Sequence, residues 1–112
     1  MNELDLGIAA IQNKDYEQAV VHFNNAIEEE PNNPLGYINF GNLLARMNET
    51  ERAERFFQKA ITLDPTAATA FYGLANLYYE QERYEEAAKL YEKSIKFEIQ
   101  GADAYFMLGK CF

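Results

Sequence analysis

Histidine and cysteine, which are typical of catalytic and metal sites, are scarce in this 112-residue chain. His22 is its single histidine and Cys111 its single cysteine. Counting alone therefore nearly excludes a Ser-His-Asp catalytic triad, a histidine-rich metal site and an internal disulfide framework. The lone cysteine also fits a reducing, cytoplasmic compartment, and the six glycines never cluster into a phosphate-binding loop. We predict a protein that is not an enzyme and that uses no metal and no cofactor.

The charge of the chain is negative and unevenly distributed. The net charge is −8, and residues 1–33 alone carry seven acidic side chains against one lysine. This balance disfavours binding to nucleic-acid phosphates or to anionic membranes. No apolar run approaches the roughly 20 residues that cross a bilayer, and the acidic start lacks the basic segment of a secretory signal. The densest acidic run, residues 28–30, is interpreted as a solvated helix end.

An internal repeat of 34 residues organises the chain. Large and small side chains recur, each in its own place, in three sets that share this spacing: Gly7, Gly41 and Gly109; Ala19, Ala53 and Ala87; Phe23, Phe57 and Tyr91. A fixed period of this length is typical of repeat architectures. The spacing defines units at 1–33, 34–67 and 68–101, followed by residues 102–112.

Within each unit the apolar residues have helical spacing. Phe71, Leu74, Ala75 and Tyr78 follow the i, i+3, i+4, i+7 pattern of one helix face. Asp15 and Gln18 form an N-cap pair at a predicted helix start. The pattern predicts helices at 2–12, 15–29, 34–47, 50–62, 68–81, 84–97 and 102–112. Gly101 is predicted to end the sixth helix with a left-handed cap.

The repeat register assigns packing roles to the histidine and the cysteine. His22 occupies the position of Phe56 and Leu90, which predicts a ring packed on a half-buried helix face. Cys111 occupies the position of two leucines and is interpreted as a small hydrophobic residue rather than a reactive thiol.

The second unit carries a known pattern. Tyr37-x-x-Phe40-Gly41-x-x-Leu44, followed by Ala53, Phe57, Ala60 and Pro65, resembles the signature of the tetratricopeptide repeat family. The third unit departs from it at Ile99, and the first departs at Glu3 and Ala10. The run is also similar to small stand-alone bacterial proteins of this family. The resemblance implies an all-α fold, a right-handed superhelical solenoid of antiparallel helix pairs with three units and one extra helix.

The resemblance also implies a function. First helices of such arrays line a concave groove for peptides, which predicts a non-catalytic protein-protein interaction module for a segment of a partner protein. The inward-facing register predicts the peptide-binding residues Ile38, Asn42, Arg46, Tyr72, Asn76, Tyr79, Phe106 and Lys110. Asn42 and Asn76, one repeat apart, should form a ladder of amides that hydrogen-bond an extended backbone. With only two cations in this set, no nucleic acid is expected as a partner.

One specialism of the family can be tested on the residues. Chaperone-binding members clamp a C-terminal carboxylate with Lys, Asn and Arg at set inner positions. In the two possible frames of this sequence only an asparagine survives, Asn39 or Asn42, and the cations are absent. We therefore expect no carboxylate clamp.

The two ends of the chain carry opposite expectations. Glu3 stands where Tyr37, Phe71 and Tyr105 would pack on a preceding unit, which indicates that nothing precedes it. Residues 102–112 match a first helix without its partner, which predicts a fragment of a longer array. An apolar edge would then be exposed at Tyr105, Leu108 and Phe112. The alternative function is a structural self-assembly unit, a homo-oligomer that stacks or exchanges its C-terminal helix.

Overall fold

The computed structural model describes the backbone of residues 2–110 and the side chains of residues 2–98. Within this part the chain is helical and contains no strand. The helices are α1 (Glu3–Gln12), α2 (Tyr16–Glu29), α3 (Pro34–Arg46), α4 (Thr50–Leu63), α5 (Ala68–Glu80) and α6 (Tyr84–Lys110). The prediction of an all-α repeat fold is confirmed.

Side-chain caps fix where the early helices begin. The Asn2 side chain accepts a hydrogen bond from the Asp5 amide before α1, and Asp15 accepts one from the Gln18 amide before α2. Asn33 caps α3, which starts with Pro34. Such caps satisfy amide groups that have no partner within the helix, and the predicted pairing of Asp15 with Gln18 is confirmed.

The same turn joins the two helices of each unit. Lys14, Asn48 and Glu82, spaced by 34 residues, have φ of 61°, 61° and 63°. In each turn the next residue's amide donates to the carbonyl five residues before it, as in the bond of 2.8 Å from Asp15 to Ala10. A left-handed residue followed by such a bond is a common helix ending. The tight turns make each helix pair antiparallel.

The helix pairs stack through a continuous apolar core. Each helix packs against its sequence neighbours, and α3 also contacts α1 and α5. The largest core side chains, Phe23, Phe40 and Phe57, are at most 1% exposed. Close packing around Ala19, Ala53 and Ala60, which are fully buried, brings the helices of a pair together.

Two glycines receive the ring of Phe57. A Cβ atom added at Gly41 would lie 2.9 Å from this ring, and one added at Gly73 would lie 2.5 Å from it. These separations are shorter than a carbon-carbon contact allows. Phe57 of α4 therefore packs against the glycines of both α3 and α5 and joins the second unit to the third.

The structure corrects the predicted end of the sixth helix. The break at Gly101 between helices 84–97 and 102–112 is wrong, because α6 runs without interruption from Tyr84 to Lys110. A glycine inside a helix costs only about 1 kcal/mol relative to alanine, so its presence alone does not end a helix. The predicted edge of Tyr105, Leu108 and Phe112 lies outside the residues whose side chains are described, as do Phe106, Lys110 and Cys111. The assignment of 102–112 to a fourth unit stays a prediction.

Candidate functional site

The first helices of the three units, α1, α3 and α5, line one concavity of about 710 Å³. Residues one repeat apart form rows across it, because equivalent helices present equivalent faces. Two complete rows are Ile8, Asn42 and Asn76, and Gln12, Arg46 and Glu80. We call this concavity the groove.

The groove changes character from the first unit to the third. Ile8 and Ile11 make its α1 side apolar, and Ile8 remains 38% exposed. Asn39 and Asn42 of α3 occupy the centre, and Asn76 of α5 continues the row. The structure thus brings together the predicted residues Asn42 and Asn76, although Ile8 occupies their position in the first unit.

Two groove amides are held in fixed orientations. The Tyr91 hydroxyl donates to Oδ1 of Asn76, which leaves the amide NH₂ of Asn76 as a donor for the groove. Asn39 has the opposite arrangement, since its Nδ2 donates to the Leu35 carbonyl at 2.9 Å and its Oδ1 remains an acceptor. Burial raises the pKa of Tyr91 above its ordinary value of 10.0, so this hydroxyl keeps its proton. The groove consequently offers one oriented donor and one oriented acceptor.

Opposite charges lie along one edge of the groove. Arg46 ends α3 and Glu80 ends α5, and both side chains are exposed. Neither forms an ion pair with another residue in the described part of the chain. Both charges are therefore available to a ligand that crosses this edge.

Tyr72 stands at the third-unit side of the groove. Its ring is 55% exposed and meets the Tyr91 ring edge-on, with 5.8 Å between centroids. Exposed aromatic rings held in one orientation are typical anchors at protein interfaces. The structure therefore places the predicted residue Tyr72 in the groove lining.

Two predicted groove residues lie elsewhere. Ile38 is only 5% exposed and packs with Ala60 and Ala70, so its prediction as a groove residue is wrong. Its side chain fills the contact between neighbouring units. Tyr79 is 56% exposed but lies outside the groove lining, where its ring packs edge-on against Tyr84 at 5.2 Å.

The groove also contains residues that the sequence prediction missed. Gly73 and Phe57 both line it. Because Gly73 has no side chain, the fully buried Phe57 ring lies directly beneath the floor of the groove. The signal was available, since Gly73 is a glycine outside the repeated glycine positions and its counterpart in the second unit is Asn39.

The polar pair at the first unit is a structural contact. His22 Nδ1 lies 2.6 Å from Glu3 Oε2, and both side chains are about three-quarters buried. The hydrogen bond from His22 lowers the pKa of Glu3, so the carboxylate accepts and Nδ1 donates. Within the described residues no group of three or more His, Cys, Asp or Glu side chains could hold a metal ion.

Across the described part of the chain, no helix combines the length and the apolar character needed to cross a bilayer.

Comparisons with known proteins agree with the fold. Two tetratricopeptide repeat family models match residues 38–105 and 10–59. The TPR repeat-containing protein YrrB of Bacillus subtilis (strain 168) is 49% identical over 41 residues, covering 37% of this chain and 20% of YrrB. The matched part therefore spans only a fifth of that relative.

Solved structures extend the likeness over more of the chain. A structure of YrrB, described as a TPR protein with an unusual peptide-binding site, aligns with a TM-score of 0.66 at 48% identity. It covers 67% of this chain and 39% of that one. MamA aligns with a TM-score of 0.80 at 22% identity, covering 90% of this chain and 59% of its own, and this likeness shows the fold alone. The chain belongs to the tetratricopeptide repeat family.

Proposed function

We propose that this chain is a non-catalytic protein-interaction module that holds an extended segment of a partner protein in the groove. The observation that carries the proposal is the pair of oriented amides, the Asn76 NH₂ donor and the Asn39 Oδ1 acceptor. Every residue of an extended peptide other than proline offers a free N–H and a free C=O. Side-chain amides that are already oriented lose little entropy on binding.

The remaining lining indicates the chemistry of the segment. The apolar side formed by Ile8 and Ile11 suits an aliphatic side chain, and Tyr72 suits a second apolar contact. Arg46 attracts a carboxylate and Glu80 attracts a cation. We therefore expect a peptide of mixed charge rather than a uniformly acidic one.

The relatives support a peptide ligand. The solved YrrB structure, 48% identical over the aligned part, is described as having a peptide-binding site. Nucleic acid is not expected, because Arg46 is the single cation among the groove residues described and the net charge is −8. A cytoplasmic location, suggested by the single cysteine, belongs to the same proposal.

Tyr72 and Tyr79 offer a matched test of the groove. They lie on the same helix and are 55% and 56% exposed, but only Tyr72 lines the groove. Peptides selected from a displayed random library against the unmodified chain would be titrated by calorimetry against Tyr72→Ala with Asn76→Ala, and against Tyr79→Ala. The double variant should lose about 2 kcal/mol or more of binding free energy, and Tyr79→Ala much less. Equal affinity of the selected peptides for the double variant and the unmodified chain would contradict groove binding.

A structural self-assembly role is the second candidate, and the length of α6 favours it. The partner helix α5 has 13 residues and α6 has 27. At about 1.5 Å per residue, α6 extends roughly 20 Å further than α5. A second copy could pack along the additional length. The apolar edge predicted from the sequence at Tyr105, Leu108 and Phe112 is the contact proposed for it.

Sedimentation of the whole chain tests this alternative. Self-association at high micromolar concentration, abolished by Leu108→Lys with Phe112→Lys, is the expected result. An unmodified chain that stays monomeric at that concentration would rule the role out.

A further inference from the structure

A second surface hollow lies on α4 and shares none of its residues with the groove. Its volume is about 310 Å³, and it is lined by Tyr37, Arg55, Phe56 and Lys59. We call it the basic-aromatic hollow. Its lining combines two aromatic rings with two cationic side chains.

The aromatic floor of the hollow is held rigidly. The Phe56 ring stacks on the buried Phe40 ring with 4.8 Å between centroids and 25° between planes. The Tyr37 ring also packs against Phe56, with 6.0 Å between centroids. Phe56 and Tyr37 remain partly exposed, so an apolar side chain could bury further area against rings that are already ordered.

The two cations of the hollow are not engaged in ion pairs within the described part of the chain. Arg55 and Lys59 are both exposed. The nearest acidic residue in sequence, Glu54, accepts a hydrogen bond from Tyr78 at 2.7 Å instead. One turn of helix, about 6 Å, separates Arg55 from Lys59 along α4. In a bound peptide, carboxylates on either side of one apolar side chain could reach both Arg55 and Lys59.

The equivalent place in the other two units is occupied differently. In the first unit Val21 and Asn25 replace the cations, and Glu3 and His22 bond to each other. The third unit keeps cations at both positions, Lys89 and Lys93. There, however, the Phe97 ring packs on Phe71 at 5.4 Å, and the Lys93 ammonium lies over the Phe71 ring at 5.8 Å. The open aromatic floor between two free cations is therefore a property of the second unit.

We propose that the basic-aromatic hollow is a second docking site, separate from the groove, for an acidic segment of a partner protein. The segment carries one apolar side chain, which covers Tyr37 and Phe56, between carboxylates that meet Arg55 and Lys59. Charge complementarity selects this occupant, since the cations are unpaired and their aliphatic stems frame the rings. A basic segment would be repelled at the same place.

An NMR titration with a synthetic probe tests this assignment. The ¹⁵N-labelled chain is titrated at physiological salt with the blocked peptide acetyl-Glu-Glu-Leu-Glu-Glu-amide. Two variants of equal charge are compared, Arg55→Glu with Lys59→Glu and Lys89→Glu with Lys93→Glu. Because both change the net charge equally, any difference between them reports position rather than overall charge. Circular dichroism confirms that both variants remain helical.

The expected result is a set of amide chemical-shift changes centred on residues 55–59. The affinity of the peptide should fall at least tenfold in the α4 variant, Arg55→Glu with Lys59→Glu. It should fall less than threefold in the α6 variant, Lys89→Glu with Lys93→Glu. A peptide with Gly in place of Leu should bind the unmodified chain at least fivefold more weakly. Equal losses in the two variants, or shift changes centred on the groove, would overturn the proposal. A dimer seen by sedimentation and dissociated by the α4 variant would assign the hollow to a second copy, which also overturns it.

Discussion

At the outer side of the first unit Glu3 bonds to His22, whereas 34 residues later Tyr37 packs on Phe56. The backbone repeat brings the same two positions into contact in both units. The residue types decide whether that contact is polar or aromatic. In the first unit the two polar side chains satisfy each other's hydrogen bonds. In the second unit the two aromatic rings leave an apolar floor between cations.

The buried side of the same two units shows a second difference. The Phe23 ring meets Gly7, but the Phe57 ring meets both Gly41 and Gly73. Phe57 is therefore part of the core of its own unit and of the joint with the next one. Equivalent core residues in a repeat array need not carry equal shares of the coupling between units.

The largest expected effect is at Phe57. Phe57→Ala should lower the free energy of unfolding by about 3–5 kcal/mol, because a fully buried ring is lost from the contact between two units. Phe56→Ala, next to it but partly exposed, should cost clearly less. Urea unfolding followed by circular dichroism measures both. Equal losses would mean that the two faces of α4 contribute alike.

The next effect separates Gly73, one of the two glycines that meet Phe57, from a glycine that does not meet it. Gly73→Ala should cost about 1–3 kcal/mol, because its Cβ would overlap the fully buried Phe57 ring. Gly36→Ala is the control, since its Cβ would meet an Ile27 side-chain atom at 3.0 Å and alanine favours the helix. Urea midpoints should fall for Gly73→Ala and change little for Gly36→Ala. The opposite order would contradict the role assigned to Phe57.

A smaller effect is expected from the hydroxyl that orients Asn76. Tyr91→Phe should cost about 0.5–1.5 kcal/mol of stability, the usual net value of one hydrogen bond. It should also weaken groove peptides, because the Asn76 amide would then be free to rotate. Tyr84→Phe, which alters a tyrosine outside the groove lining, is the control for peptide affinity. Unchanged peptide affinity in Tyr91→Phe would show that the orientation of Asn76 is unimportant.

The smallest effect concerns pH and the first unit. The pKa of Glu3 is lower in the folded chain than its ordinary value of 4.5, so the unfolded chain takes up this proton first. Its contribution to stability is present above pH 4.5 and is lost as the pH falls through the lower folded value. Glu3→Tyr with His22→Phe, which copies the second unit, should reduce the acid sensitivity of urea midpoints. Glu17→Gln, an exposed carboxyl on α2, should leave it unchanged.

The sequence predicted the fold well because its main signal was periodic. Five of the six helices were placed within one or two residues, since proline, asparagine and aspartate at the unit ends mark the boundaries. The end of α6 was missed because a helix tolerates one glycine when nothing else stops it. Residues that end a helix, such as proline, asparagine and aspartate, marked the other helix ends clearly, whereas Gly101 was a weak signal.

The groove was predicted less completely than the fold. Asn42, Arg46, Tyr72 and Asn76 were identified by register, and all four line the groove. The burial of Ile38 could not be read from its own helix, because it depends on how Ala60 and Ala70 of other helices approach. The contact of Glu3 with His22 was within reach, since both departures from the repeat occupy positions that pair in the second unit.

Because the left-handed turn recurs in every unit, a unit could be duplicated together with its own turn. Lys14, Asn48 and Glu82 close the three hairpins at the same step of the repeat. A copied block of 34 residues would bring its own turn and leave the helices on either side in phase. Each copy would then extend the groove by one first helix and add one residue to each row, such as the row of Ile8, Asn42 and Asn76. Duplication would thus lengthen the groove before it changed the chemistry of any contact within a unit.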